Sequence, residues 1–159
     1  EITVSGTVGA ALEAAANAIP ALAVSLAMPV ACHLHGDDAA DYTAAIAFTQ
    51  HFARLLLRQR LPYDVDLLNV NIPQGAQPES PWRLTRVSRC RYFMPTPPDR
   101  DNGKGRPGYK RMDDFFMAET ESDVHALNVD AVVSVTPISL DMTSRADFGA
   151  IEEQLRIGW

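Results

Sequence analysis

Cysteine is scarce in this sequence: Cys32 and Cys90 are the only two in 159 residues. They form no Cys-x-x-Cys pair and cannot make a disulfide framework, which excludes a small disulfide-stapled scaffold. Two reduced thiols in a cytoplasmic protein is the reading they support. Long apolar runs are missing too. No stretch reaches the roughly 18–20 residues needed to span a bilayer, so a membrane protein of the helical kind is not expected. The nearest approach, Val8–Ala31, is broken by Glu13, Asn17, Pro20 and Pro29 and reads as a buried helix followed by a buried strand. A signal-like start is also absent, because Glu1 is neither Met nor basic. The chain is therefore expected to be a fragment or a processed form. No internal repeat is visible.

What is present describes a globular domain. Hydrophobic residues make up 47% and charged residues 21%, the balance of a folded chain rather than a disordered one. The length suits one domain, residues 1–159, with a real core. The net charge of −6 is unevenly spread. Nine basic residues lie between Arg83 and Arg111, opposed only by Asp99 and Asp101, so this stretch carries +7 and the remainder −13. Such asymmetry marks an anion-binding surface or an arm that docks on an acidic neighbour.

Along the chain the pattern is that of an α/β layered fold. Alanine-rich Val8–Ile19 favours a helix that Pro20 closes. Ala21–Leu26 is a buried, parallel strand. Asp37 or Asp38 caps a helix running to about Arg60, with Ala44, Phe48, Phe52, Leu55 and Leu56 on one face. Val65–Ile72 is a second strand. Helix, strand, helix, strand predicts right-handed crossovers and a Rossmann-like layer. Trp82–Tyr92, where apolar and basic residues alternate, predicts an exposed strand, and Tyr109–Met117 its returning partner after a long turn over Pro95–Gly108. Together these make an extended β-hairpin at about residues 82–117, which needs a partner to be stable. Val129–Val135 is a strand ended by Thr136–Pro137, and Arg145–Leu155 a tail helix with Phe148, Ile151 and Leu155 on one face.

The stretch with chemistry in it is Ser5-Gly6-Thr7-Val8-Gly9-Ala10-Ala11. A turn feeding a helix start offers free backbone N–H groups and the positive end of the helix dipole, which suit a phosphate. Gly6 permits close backbone approach, and the Ser5 and Thr7 hydroxyls can donate further hydrogen bonds. An ordinary helix cap explains the same residues. His33-Leu34-His35 with Asp37 and Asp38 has metal-ligand chemistry. Side chains two apart on a loop point unpredictably, however, and an Asp before a helix is explained by capping.

The string SGTVGAALEAA followed by IPALAVSLA resembles the SurE family, the metal-dependent survival-protein nucleotidases. The resemblance continues, in the family's order, at DYTAA (Asp41–Ala45), LNVNIP (Leu68–Pro73), GRPGY (Gly105–Tyr109) and SDVHALNVDAVVSVTPISLDMT (Ser122–Thr143). It covers nearly the whole chain and matches the C-terminal part of such proteins. It implies the SurE fold with its hairpin and tail helix. It further implies hydrolysis of nucleoside 5′- and 3′-monophosphates, with short polyphosphates as further substrates, and dependence on a divalent cation, magnesium or manganese. The family's metal ligands are an Asp-Asp pair, a Ser and an Asn that precede the Ser-Gly-Thr turn. They are expected upstream of Glu1. The pairs Asp37-Asp38 and Asp113-Asp114 fall in the wrong order to replace them, so no metal ligand is assigned in this chain and the isolated chain is expected to be inactive. Ser5 and Thr7 are the catalytic candidates, and Ser5, Gly6 and Thr7 the phosphate-binding ones. The resemblance implies a homodimer or homotetramer joined through the hairpin and tail. The rival reading is a non-catalytic interaction or nucleic-acid-binding module built on the basic hairpin, with Tyr92, Phe93 and Tyr109 for stacking.

Overall fold

The computed structural model describes residues 2–29, 40–97, 108–112, 115 and 117–157. After a short 3-10 turn at Ile2–Val4, helix α1 spans Gly6–Ala16. Its alanines carry high helix propensity, and Ser5 caps it by accepting a hydrogen bond from Val8 N–H at 3.2 Å. The far end closes before Pro20. Ala18, at φ 58°, sits just beyond the C-cap Asn17. Ala18 N–H donates to Ala15 O and Ile19 N–H to Ala14 O, the paired bonds that close a helix through a left-handed residue.

Strand β1, Ala21–Leu26, runs parallel to β2, Leu67–Ile72. Helix α2, Thr43–Arg58, is the crossover between them. It starts later than the sequence pattern suggests: Asp37 and Asp38 lie outside the described residues. The acidic group at its start is Asp41, which accepts from Thr43 N–H at 2.9 Å.

The second half departs further from expectation. Trp82–Tyr92 is not one exposed strand. Trp82–Leu84 forms β3, which joins the main sheet beside β6, Val133–Ile138. The antiparallel pair is shorter and later: β4, Phe93–Thr96, with β5, Gly108–Arg111. The alternation of Arg with apolar residues misled in part because two of these arginines, Arg83 and Arg86, find acidic partners within the chain, described below. A helix also appears where none is evident in the pattern. Helix α3, Asp123–Asn128, is only six residues long, too short for a periodic signal, and is nucleated by Ser122 Oγ accepting from His125 N–H.

The main sheet has the order β1-β2-β6-β3, with β6 antiparallel to β2 and parallel to β3. Pro137, expected to end the last strand, lies inside β6. Strand β3 pairs no further than Val135, so the strand is open on that side at Pro137 and the missing N–H costs no ladder bond. The tail carries helix α4, Phe148–Leu155, capped by Asp147, which accepts from Ala150 N–H at 2.7 Å. The tail is rooted by Asp64, which accepts from Ser139 Oγ at 2.6 Å and Arg145 Nη2 at 2.9 Å. Among the described residues no helix is long and apolar enough to cross a membrane.

Candidate functional site

The two faces of the sheet differ in chemistry. On one, Leu68, Val70 and Ile72 of β2 and Val133 and Val135 of β6 pack under Ala44, Phe48 and Phe52 of α2. This is the main apolar core. Residues alternate across a strand, so the opposite face takes Asn69 and Asn71 from β2. Strand pairing places Ser25 of β1 beside Asn71, and Thr136 and Ser134 of β6 beside Asn69 and Asn71. The apolar part of this face is confined to one end, where Val8 and Ala11 of α1 cover Ala21, Ala23, Leu67 and Ile138.

Polar groups in the interior are costly unless they are paired. Most here are. Thr85 Oγ1 lies 2.8 Å from Ser134 Oγ and 2.7 Å from Thr136 Oγ1, so three buried hydroxyls satisfy one another. Among the described residues two buried polar atoms lack a partner, Arg83 Nε and Asn69 Oδ1, and of the two residues Asn69 is the fully buried one, at 4% exposed.

Asn69 lines a cavity of about 420 Å³, as do Ser5, Ser25, Asn71 and Asp123. The volume falls in the usual range of small-molecule sites, roughly 300–1,000 Å³. Tyr92, Phe93 and Arg111, at the root of the antiparallel pair, also line it. The Tyr92 and Phe93 rings meet edge to face at 4.6 Å, and the Arg111 guanidinium lies 5.8 Å from the Phe115 ring centroid.

Of the residues expected to hold a phosphate, Ser5 reaches the cavity; Gly6 and Thr7 are exposed at the helix start and do not line it. Ser5 Oγ accepts the capping bond from Val8 N–H, which leaves its own hydrogen free to donate. A Cβ at Gly6 would meet nothing within 4 Å. The chain's own packing therefore does not demand glycine there, and its small size leaves the approach to the helix N-terminus open.

The segment Val87–Cys90 closes another side, and Ser88 is its anchor. Ser88 N–H donates to Asp123 Oδ1 at 2.9 Å, and Ser88 Oγ donates to Glu119 Oε2 at 2.7 Å. These two bonds tie the Val87–Cys90 segment to Glu119 and Asp123. Asp123 Oδ1 also accepts from Val124 N–H at 2.8 Å. Burial pushes the Asp123 carboxyl above its ordinary value, opposed by those two backbone donors, which act to lower it. Hydrogen bonds from Ser88 and Arg89 hold the Glu119 carboxyl below its ordinary value.

A divalent cation fits the described residues poorly. Magnesium and manganese favour carboxylate oxygens. The cavity offers one carboxylate, Asp123, with one oxygen already accepting two N–H groups, and the described residues contain no cluster of three His, Cys, Asp or Glu. His33, His35, Asp37, Asp38, Asp113 and Asp114 lie outside the described residues. The basic stretch is partly neutralised within the chain. Arg83 pairs with Asp130 at 2.7 Å and Arg86 with Glu121 at 3.6 Å. Both acidic partners lie close to α3, Glu121 just before it and Asp130 just after it.

Residue pattern alone does not single out Asn69, Ser88 or Asp123. The signal for Asn69 is in LNVNIP: two asparagines alternate with the apolar residues of a strand whose other face is wholly buried. Ser88 and Asp123 meet across 35 residues, and nothing local marks that contact.

Comparison with known proteins agrees with this architecture. A family model described as Survival protein SurE matches residues 1–94, more than half the chain. The chain is 39% identical over 159 residues to the 5′-nucleotidase SurE of Thermococcus kodakarensis, covering 98% of this chain and 60% of that protein. It is 41% identical over 160 residues to the 5′-nucleotidase SurE of Methanosarcina mazei, covering 97% of this chain and 59% of that protein. The crystal structure of the SurE protein from Aquifex aeolicus superposes with a TM-score of 0.62 at 26% identity, over 97% of this chain and 59% of that one. The chain thus spans about three-fifths of the length of the relatives it matches. With a family model matching more than half of it and relatives about 40% identical over nearly all of it, the chain belongs to the SurE family.

Proposed function

We propose that the chain is the larger part of a metal-dependent phosphatase acting on nucleoside 5′- and 3′-monophosphates, with short polyphosphates as further substrates. The observation that carries this reading is Ser5. It caps an eleven-residue helix, keeps a free hydroxyl hydrogen, and opens onto the cavity. Its relatives named 5′-nucleotidase lend support. The backbone N–H groups of the Ser5–Thr7 turn and the Ser5 and Thr7 hydroxyls, with the positive end of the helix dipole, would hold the phosphoryl oxygens. Such fixed donors stabilise charge that grows on those oxygens as the P–O bond breaks.

A divalent cation, magnesium or manganese, would supply Lewis-acid polarisation of the phosphoryl group. As the resemblance implies, its ligands would be the family's Asp-Asp pair, Ser and Asn that precede the Ser-Gly-Thr turn; the cavity's single carboxylate is too little to hold it. On this reading the 159-residue chain alone is inactive even with either metal added. Assembly into a homodimer or homotetramer is supported by the tail. Phe148 and Leu155 of α4 are 62% and 70% exposed, an apolar face the described chain does not cover.

The test is Ser5→Ala and Thr7→Val in the intact protein, with melting temperature and turnover on a nucleoside monophosphate measured together. Losing a preorganised donor costs on the order of 100-fold in turnover, or about 3 kcal/mol. Losing a helix cap costs about 1 kcal/mol of stability and leaves turnover within a few-fold. The second outcome would reduce the turn to a cap.

A further inference from the structure

We infer that the cavity behind the Ser5 turn receives the nucleoside end of the substrate, and that the Asn69 carboxamide is the group that reads it. This rests on the nucleotidase reading and assigns to the same site a residue that reading does not use.

Two independent observations converge on Asn69. It is almost fully buried with its acceptor unpartnered, while the hydroxyls beside it, Thr85, Ser134 and Thr136, are mutually satisfied. It also lines the cavity that Ser5 lines, so a ligand held by its phosphate at the helix start would lie against it. No hydrogen bond to a described residue fixes the carboxamide. It is therefore free to turn and present its acceptor or its donors, as a base edge or a ribose hydroxyl requires. Folding does not ask for asparagine at this place. The strand's other face already packs with Phe48 and Phe52, and an apolar residue at position 69 would leave no group unpaired. The walls suit the same ligand. The cavity is mostly apolar, with Val8, Val87 and Leu127, and the aromatic residues Tyr92 and Phe93 also line it. That is the surface on which a base, with its flat apolar faces and polar edge, is held.

The experiment measures binding to the intact protein by calorimetry, for inorganic phosphate and for the 5′-monophosphates of adenosine, guanosine, cytidine and uridine. The variants are Asn69→Leu, which keeps the side chain's shape, and Asn69→Ala, which tests the same loss without bulk. At least one nucleotide should bind more tightly than phosphate. Both variants should weaken that nucleotide about tenfold or more, the effect of leaving a ligand polar group unpaired, with phosphate affinity unchanged. If no nucleotide binds better than phosphate, or the variants leave nucleotide affinity intact, the subsite is overturned and the phosphatase reading stands. If phosphate and nucleotides alike fail to bind, the phosphatase reading itself falls and takes the subsite with it. Equal weakening of phosphate and nucleotide would show a packing role for Asn69 and overturn the subsite.

Discussion

Replacing Asn69 by leucine should make the ligand-free protein more stable. The side chains share a branch point at Cγ, so the change swaps a carboxamide for two methyl groups with little change of shape. In the wild type, Asn69 Oδ1 is buried and makes no hydrogen bond to a described residue. A buried acceptor left unsatisfied costs about 1–3 kcal/mol, and leucine removes that cost without orphaning a partner. Its neighbours across the ladder, Ala23 and Thr136, do not depend on it: the Thr136 hydroxyl is already paired with Thr85. For a chain of this size each kcal/mol moves the melting temperature by about 2–4 °C. Asn69→Leu should therefore melt higher by several degrees, measured by circular dichroism or calorimetry without ligand. Saturating nucleotide should narrow or reverse the difference, because ligand stabilises only the form that binds it. A melting temperature that falls by several degrees would refute the reasoning. It would mean that the carboxamide is held by a partner in the intact protein and that asparagine is structural.

Ala18→Gly should stabilise the chain by up to about 1 kcal/mol, read as a higher urea midpoint, because Ala18 adopts φ 58° where only glycine is unstrained. Phe48→Ala should cost about 3–5 kcal/mol, since Phe48 is buried in the main apolar core under β2 and β6; a loss below about 1 kcal/mol would contradict that packing. Asp123→Asn should raise the melting temperature near neutral pH and not below the ordinary carboxyl value of 3.8. Burial raises the folded-state value, so the folded protein holds this proton more tightly, and its contribution to stability is lost as pH rises from the ordinary value through the raised one. A gain that persisted unchanged in acid would assign the effect to something other than ionisation. Phe148→Asp should shift the protein to a smaller species in analytical ultracentrifugation while leaving its melting profile in dilute solution little changed, as Phe148 is exposed.

Where the signal is local and periodic, sequence and structure agree. Helix α1, β1, the Phe48 and Phe52 face of α2, and β2 all lie where alanine content, apolar runs and proline breaks put them. Agreement fails where placement depends on distant partners. Trp82–Leu84 looked like an exposed arm because its arginine points to charge that a one-dimensional pattern leaves unassigned. The partner of Arg83 is Asp130, and the strand itself is ordered by backbone pairing with Val133–Val135. Pro137 looked like a terminator because the rule against proline applies to a strand flanked on both sides, and β3 stops short of it. The Ser5 turn stood out in the sequence as a candidate phosphate site because its chemistry lies in three consecutive residues. Its relation to Asn69, Ser88 and Asp123 did not, because the cavity exists only once β2, α3 and the Val87–Cys90 segment are brought together.

The two-faced sheet explains how one small fold can hold both a core and a site. The larger apolar cluster is on the α2 face, where Leu68, Val70 and Ile72 of β2 and Val133 and Val135 of β6 meet two phenylalanines. The opposite face is thereby released from the need to be apolar, except at the end covered by α1. Asparagine and hydroxyl residues can occupy the remainder, and their arrangement is fixed by ladder register rather than by their own packing. Register makes this placement strict: a slip of one residue in β2 would turn Asn69 and Asn71 into the phenylalanine layer and Leu68 and Val70 into the cavity. The same alternation that keeps asparagine out of the core therefore also aims it at the cavity. Substitutions on the two faces should accordingly separate, with those on the α2 face acting on stability and those around Asn69 acting on what the cavity binds.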